Sequence, residues 1–224
     1  MARVGVILSG CGVQDGSEIH EAVLTLLALD RAGAETVVAA PDRDQAEVVD
    51  HRTGKKSRSR RNVLTESARI SRGVISDVAD LRADELDAVV LPGGFGAAKN
   101  LSTFAVDGAD CTVDEDVAKL LKAMHKAGKP IAALCVAPAI LARVLGKKVA
   151  PDLTIGSDPD TAAALVKMGA THHETSATQV LVDDANRIVT TPCYMLAERI
   201  GDVATGIEKA VGTVLRLAEE AVPA

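Results

Sequence analysis

The sequence predicts an α/β sandwich around a mostly parallel β-sheet. Apolar runs of four to six residues alternate with helical segments along the chain, the pattern of repeated βαβ units. Near the C-terminus two strand-like runs adjoin without an intervening helix, which predicts an antiparallel hairpin extending the sheet.

The elements follow in order. "RVGVILSG" (3–10) is the first strand, and an amphipathic helix runs from about Ser17 to Ala32, stopped by Gly33. "ETVVAA" (35–40) is the second strand, and "DAVVLPGG" (87–94) is the next. A helix near 114–127 leads into "KPIAAL" (129–134), and a further helix follows Cys135 and ends at Gly146. "DLTIGS" (152–157) reads as a strand and Asp160–Met168 as a helix. "TQVLVDD" and "NRIVTT" form the hairpin, joined around Ala185, before a final helix from about Leu196 to Glu220. There is no internal repeat and no Pro/Gly linker, so residues 1–224 are expected to form one domain.

Composition narrows the function. Of 224 residues 47% are apolar, yet only Phe95, Phe104 and Tyr194 are aromatic. The core must therefore be packed from Ala, Val, Leu and Ile, and stacking platforms for nucleic acid are lacking. The net charge of −6 supplies no broad basic surface, so nucleic-acid binding is not expected. No apolar stretch reaches the ~18 residues of a membrane span, and the opening run lacks a small-residue cleavage site. Cys11, Cys111, Cys135 and Cys193 lie far apart with no Cys-x-x-Cys pair. That spacing argues against zinc and against a disulfide framework, and predicts a reducing, cytoplasmic setting. One departure is 51–61, "HRTGKKSRSRR", with six Lys or Arg and no acid. Without aromatic neighbours in an acidic chain, it reads as a solvated, mobile surface loop.

The glycine-rich stretch "LSGCGVQDGSEIHE" (8–21) invites a dinucleotide-binding reading. Gly10 and Gly12 fit a G-x-G-x-x-G fingerprint, but Asp15 occupies the third glycine place and would set a carboxylate where a pyrophosphate belongs. No Gly-Lys-Ser/Thr follows, so it is not a P-loop. The glycines instead make a tight turn, with Asp15 and Glu18 expected to cap the helix as an Asp-x-x-Glu box. Glu21 lies one turn further on, near the carboxyl edge of the first strand.

The sharper chemical signal is "KPIAALCVAPAIL" (129–141). An apolar strand runs into Cys135, Pro138 opens a helix, and Ala133 and Ala137 flank the cysteine at −2 and +2. That is the layout of a nucleophile elbow, where small neighbours let a strained corner present its side chain. The helix N-terminus is expected to lower the thiol pKa. "VVLPGGFG" (89–96) places Gly93 and Gly94 at the end of a neighbouring strand. Their N–H groups, with that of Val136, are expected to form an oxyanion hole. All these positions share the carboxyl edge of a parallel sheet, where ligands collect.

Together "DGSEIHEAV…DRAG", "VVLPGGFGAAKNL" and "PIAALCVAPAIL", in that order, resemble the PfpI-like branch of the class I glutamine amidotransferase-like superfamily. "LTIGSDPDTAAALVKMGA", "IVTTPCYMLAERI" and the extended region 45–76 are similar to its ElbB subfamily, named for a link to isoprenoid biosynthesis; the basic run 55–61 departs from that pattern. The resemblance implies a flavodoxin-like three-layer sandwich, homodimeric, with Cys135 as nucleophile and Glu21 as the paired acid. Gly94 and Val136 would supply oxyanion N–H groups. It further implies a cofactor-free glyoxalase, with neither cofactor nor metal, turning small dicarbonyls such as glyoxal and methylglyoxal into 2-hydroxy acids. A glutaminase would need a His-x-Glu pair just before the last helix, whereas "TTPCYM" there has no histidine. His172-x-Glu174 follows a helix and is expected at the opposite, amino edge of the sheet. Nor does a histidine follow the elbow helix, in "KKVAPDLTIGSD". His20 points away from Glu21 around the helix and reads as a surface or packing residue. Cys11 and Cys193 read as unreactive small apolar residues. The alternatives are a redox-sensing or non-catalytic cysteine protein of this fold, or an amidotransferase-like subunit without glutaminase activity.

Overall fold

The computed structural model describes residues 1–220, so 221–224 of the expected domain lie outside the described residues. In chain order the elements are β1 (Arg3–Ile7), α1 (Ile19–Arg31), β2 (Glu35–Ala40), β3 (Val48–Asp50), β4 (Lys55–Ser57), α2 (Val63–Ser67) and β5 (Ser76–Asp77). Then come β6 (Ala88–Leu91), α3 (Phe95–Lys99), α4 (Phe104–Asp107), α5 (Glu115–Lys126), β7 (Ile131–Leu134) and α6 (Pro138–Val149). The last are β8 (Asp152–Leu153), α7 (Pro159–Lys167), β9 (Thr171–His172), β10 (Leu181–Asp183), β11 (Ile188–Thr191) and α8 (Ile200–Glu220).

The central sheet has the order β10-β11-β7-β6-β1-β2-β5. Every neighbouring pair is parallel except β10–β11, the expected hairpin, which adds one antiparallel edge strand. Alternation along the strands divides the core between two faces. Ile7, Val89, Leu91, Ile131 and Ala133 pack toward α5 and α6. Val4, Val6, Val90, Ala132 and Leu134 pack toward α1 and α8. The architecture is thus a three-layer α/β sandwich, as the sequence pattern predicts. No described helix is long and apolar enough to cross a membrane.

Four local expectations are corrected. The helix after Cys135 does not end at Gly146 but runs to Val149, where Ala150 takes a left-handed φ of 46°. Gly146 is instead a packing glycine: a Cβ there would strike the Met168 carbonyl. "DLTIGS" contributes only Asp152–Leu153, paired with Thr171–His172 in a separate two-stranded sheet. The run 51–61 is exposed as expected, yet it is partly ordered as the β3–β4 hairpin, with Lys56 paired to Glu47 at 2.5 Å. Finally, Asp15 does not cap α1. Glu18 does so itself, accepting the Glu21 N–H at 2.7 Å. Asp15 is buried and accepts the Val49 N–H at 2.7 Å, tying the glycine turn to the hairpin.

Candidate active site

The carboxyl ends of β1, β6 and β7 open on one edge, and their turns converge there. After β7 the chain turns sharply at Cys135, whose φ of +58° is a left-handed conformation that a non-glycine residue adopts only under strain, on the order of 1–3 kcal/mol. The Cys135 N–H is anchored to the Thr191 carbonyl at 3.0 Å, and the turn passes directly into α6. This is the expected elbow. Beside it, the turn after β6 brings in Gly93 and Gly94, and the first turn of α1 brings in Glu21.

Glu21 is fully buried. One carboxylate oxygen accepts the Gly93 N–H at 2.9 Å and the other accepts the Tyr194 N–H at 3.3 Å. Its carboxyl also lies within hydrogen-bonding reach of the Cys135 thiol. The structure thus brings residues 21 and 135 side by side, on either side of Gly93. Burial, reinforced by the nearby Glu18 carboxylate, pushes the Glu21 pKa up to about 8.

The thiol differs from expectation. Burial, and then the charge of Glu21, push the Cys135 pKa well above its ordinary value. N–H groups of Gly94 and Val136 aimed at the sulfur act in the opposite direction but are outweighed. The helix N-terminus behind the cysteine therefore does not make it a resting thiolate. Near neutral pH both partners hold their protons, and the pair shares one negative charge only as Glu21 ionises.

The oxyanion expectation is also divided. Gly94 and Val136 direct N–H groups at the Cys135 sulfur, but the Gly93 N–H is spent on Glu21. Gly93 thus positions the acid rather than a substrate oxygen. Its missing side chain matters equally: a Cβ would press on that of Cys135, 2.7 Å from Glu21 Oε2 and 2.9 Å from the Leu134 carbonyl. Gly93→Ala is expected to cost about 2–3 kcal/mol and to force Glu21 from Cys135. Urea denaturation and the rate of Cys135 alkylation would measure the two effects.

Above Cys135 opens a cavity of about 350 Å³, lined mainly by apolar side chains. His172 is not among its lining residues. It lies in β9, off the central sheet altogether, with its ring accepting the Ile155 N–H at 3.4 Å. His20 does not touch Glu21; its Nδ1 lies 2.8 Å from the Tyr194 hydroxyl, on the cavity wall. Cys11 is half-buried, and burial raises its pKa. Cys193 is fully buried and close enough to Glu21 and Cys135 that their charges, after burial itself, raise its pKa well. No group of three or more metal-ligating side chains is found among the described residues.

A sequence profile of the DJ-1/PfpI family matches residues 11–194, a span containing every one of these positions. The chain belongs to the DJ-1/PfpI family. The human mitochondrial glutamine amidotransferase-like class 1 domain-containing protein 3 is 47% identical over 226 residues, covering 96% of this chain and 83% of that protein. The rat mitochondrial ES1 protein homolog is also 47% identical, covering 96% and 84%. Among solved structures, an isoprenoid biosynthesis protein with an amidotransferase-like domain from Ehrlichia chaffeensis superposes with a TM-score of 0.91 at 35% identity, covering 97% of this chain and 99% of that one. The DJ-1/PfpI chain thus has a class I glutamine amidotransferase-like, flavodoxin-type fold.

These relatives overturn the cytoplasmic expectation, since both curated proteins are mitochondrial. Cysteines too far apart to pair stay free in more than one compartment, so their spacing does not distinguish among them.

Sequence reading missed several parts of this DJ-1/PfpI site. Glu18, expected only in the helix cap, also lines the cavity, while Tyr194 fixes one oxygen of Glu21 through its backbone. Asp158 and Phe104 reach the cavity wall from distant segments. Only the scarcity of aromatic residues could have drawn attention to Phe104 and Tyr194.

Proposed function

We propose that this protein is a single-domain, homodimeric, cofactor-independent glyoxalase of the ElbB type, converting α-oxoaldehydes to 2-hydroxy acids. The observation that carries the reading is the buried Glu21 carboxyl, held by two backbone N–H groups within reach of the Cys135 thiol. The likeness to the isoprenoid biosynthesis protein of Ehrlichia supports the subfamily.

In this mechanism ionised Glu21 takes the thiol proton as sulfur adds to the aldehyde carbon and passes it to the alkoxide oxygen so formed, giving a hemithioacetal and leaving Glu21 ionised again. The N–H groups of Gly94 and Val136 stabilise charge in this step. Glu21 then removes the hydrogen of the former aldehyde carbon to form an enediol and returns a proton to the adjacent carbon. The product is a 2-hydroxyacyl thioester on Cys135. Water hydrolyses it to the 2-hydroxy acid and the free thiol, so one water is consumed per dicarbonyl.

The raised thiol pKa weighs against the redox-sensing alternative, because peroxide oxidation favours an exposed thiolate. No histidine lines the cavity among the described residues, which weighs against a glutaminase triad.

Purified protein incubated with glyoxal or methylglyoxal is expected to form glycolate or lactate at the rate the dicarbonyl disappears. In deuterated water the lactate should carry deuterium on its hydroxyl-bearing carbon, because the enediol is reprotonated by an exchangeable acid. Dicarbonyl loss without hydroxy acid would refute the reading. Because Glu21 must ionise to accept the thiol proton, kcat/KM should rise between pH 6 and about 8 and level off above it.

A further inference from the structure

The chain has two phenylalanines, one tyrosine and no tryptophan, and all three aromatic side chains line the cavity over Cys135. Elsewhere the core is built from aliphatic residues. Phe95 remains 52% exposed where it lines the cavity. Met195, a soft and adaptable contact, stands among them. The space, about 350 Å³, far exceeds what a two- or three-carbon dicarbonyl fills.

Charge restricts the occupant further. The ionisable side chains on the wall, apart from Cys135 and Tyr194, are Glu18 and Asp158, both acidic, and no Lys, Arg or His lines it among the described residues. Lys99 stands over the Phe95 ring at 4.9 Å. Its ammonium is committed to Glu47 at 2.5 Å and to the Gln14 carbonyl at 2.9 Å. An anionic substrate would therefore meet two carboxylates and no free cation.

Building on the glyoxalase reading, we propose that the preferred substrate is a neutral α-oxoaldehyde bearing an aryl or bulky alkyl group, and that anionic oxoaldehydes are rejected. The aldehyde carbon would meet Cys135 while the apolar group lies against Phe95, Phe104 and Tyr194. Burial of that group provides the selectivity, at ~25 cal/mol per Å² of apolar surface removed from water.

Two measurements on the full chain test this. In the first, phenylglyoxal is expected to exceed methylglyoxal in kcat/KM by at least about tenfold, and 4-carboxyphenylglyoxal to fall at least about tenfold below phenylglyoxal. Phe104→Ala should lower the ratio of the phenylglyoxal value to that of methylglyoxal at least fivefold. The second requires no turnover: Cys135 alkylation by phenacyl bromide, iodoacetamide and iodoacetate, each rate divided by that with glutathione. The expected order is phenacyl bromide first and iodoacetate last. Asp158→Asn, which retains a capping side chain for α7, should raise the iodoacetate rate relative to iodoacetamide at least twofold. Alkylation in this order without any hydroxy acid from any dicarbonyl would sink the glyoxalase reading and leave the cavity preference standing. Hydroxy-acid formation with flat alkylation ratios, and with methylglyoxal equal to phenylglyoxal, would overturn the preference and leave the glyoxalase.

Discussion

Cys135→Ser is expected to lower hydroxy-acid formation by at least about 10³-fold with little change in stability. A serine hydroxyl is a far weaker nucleophile than a thiol unless a strong base activates it, and the nearest base is a carboxyl whose pKa is about 8. Serine differs from cysteine by one atom and tolerates the same buried corner, so the variant should fold normally. Its Gly94 and Val136 N–H groups remain in place, and any residual rate measures what they achieve without the thiolate. Equal turnover by wild type and variant would end the covalent mechanism. The assay is product formation under saturating and limiting dicarbonyl, with circular dichroism and urea denaturation to confirm the fold.

At pH 8 Glu21→Gln is expected to move activity and stability in opposite directions. Turnover should fall by about 10²–10⁴-fold, the usual effect of removing a general base, and its rise with pH toward 8 should disappear. Stability should depend on pH with a definite sign. The carboxyl has its ordinary value of 4.5 in the unfolded chain and about 8 in the fold. The native state therefore holds the proton more tightly, and its stability is fully retained below pH 4.5. It declines as pH rises toward 8, by roughly 4 kcal/mol at pH 8. Glutamine has no charge and escapes that decline. It also accepts only one of the two N–H groups, from Gly93 and Tyr194, that the carboxyl accepts, a loss of about 1–3 kcal/mol. The variant should thus be more stable than wild type by about 2 kcal/mol at pH 8 and less stable at pH 4. Urea denaturation at both pH values reads the crossover; a wild type more stable at pH 8 would show that Glu21 titrates near its ordinary value.

The fold was legible where local pattern and tertiary context agree. Strands β1, β6 and β7 are apolar runs because the middle of a parallel sheet, buried on both faces, leaves no polar side. The two-residue strands β5 and β9 carry too little pattern to be found, and β8 takes up only the first two residues of the run 152–157. Gly146 misled because a glycine that permits close helix packing looks, in sequence, like one that ends a helix.

The site divides along the same line. The sequence by itself determined the elbow at Cys135, with its small flanking residues and following proline. It also placed Glu21 one turn into a helix at the carboxyl edge of a parallel sheet, because strand polarity sends those turns to one side. Only the tertiary structure decided that the Gly93 N–H serves Glu21 instead of an oxyanion. It alone decided that burial outweighs the helix N-terminus at the thiol, and that three aromatic side chains from three segments share one cavity. Desolvation and hydrogen-bond partners depend on what surrounds an atom in space, and residues distant in sequence supply those surroundings.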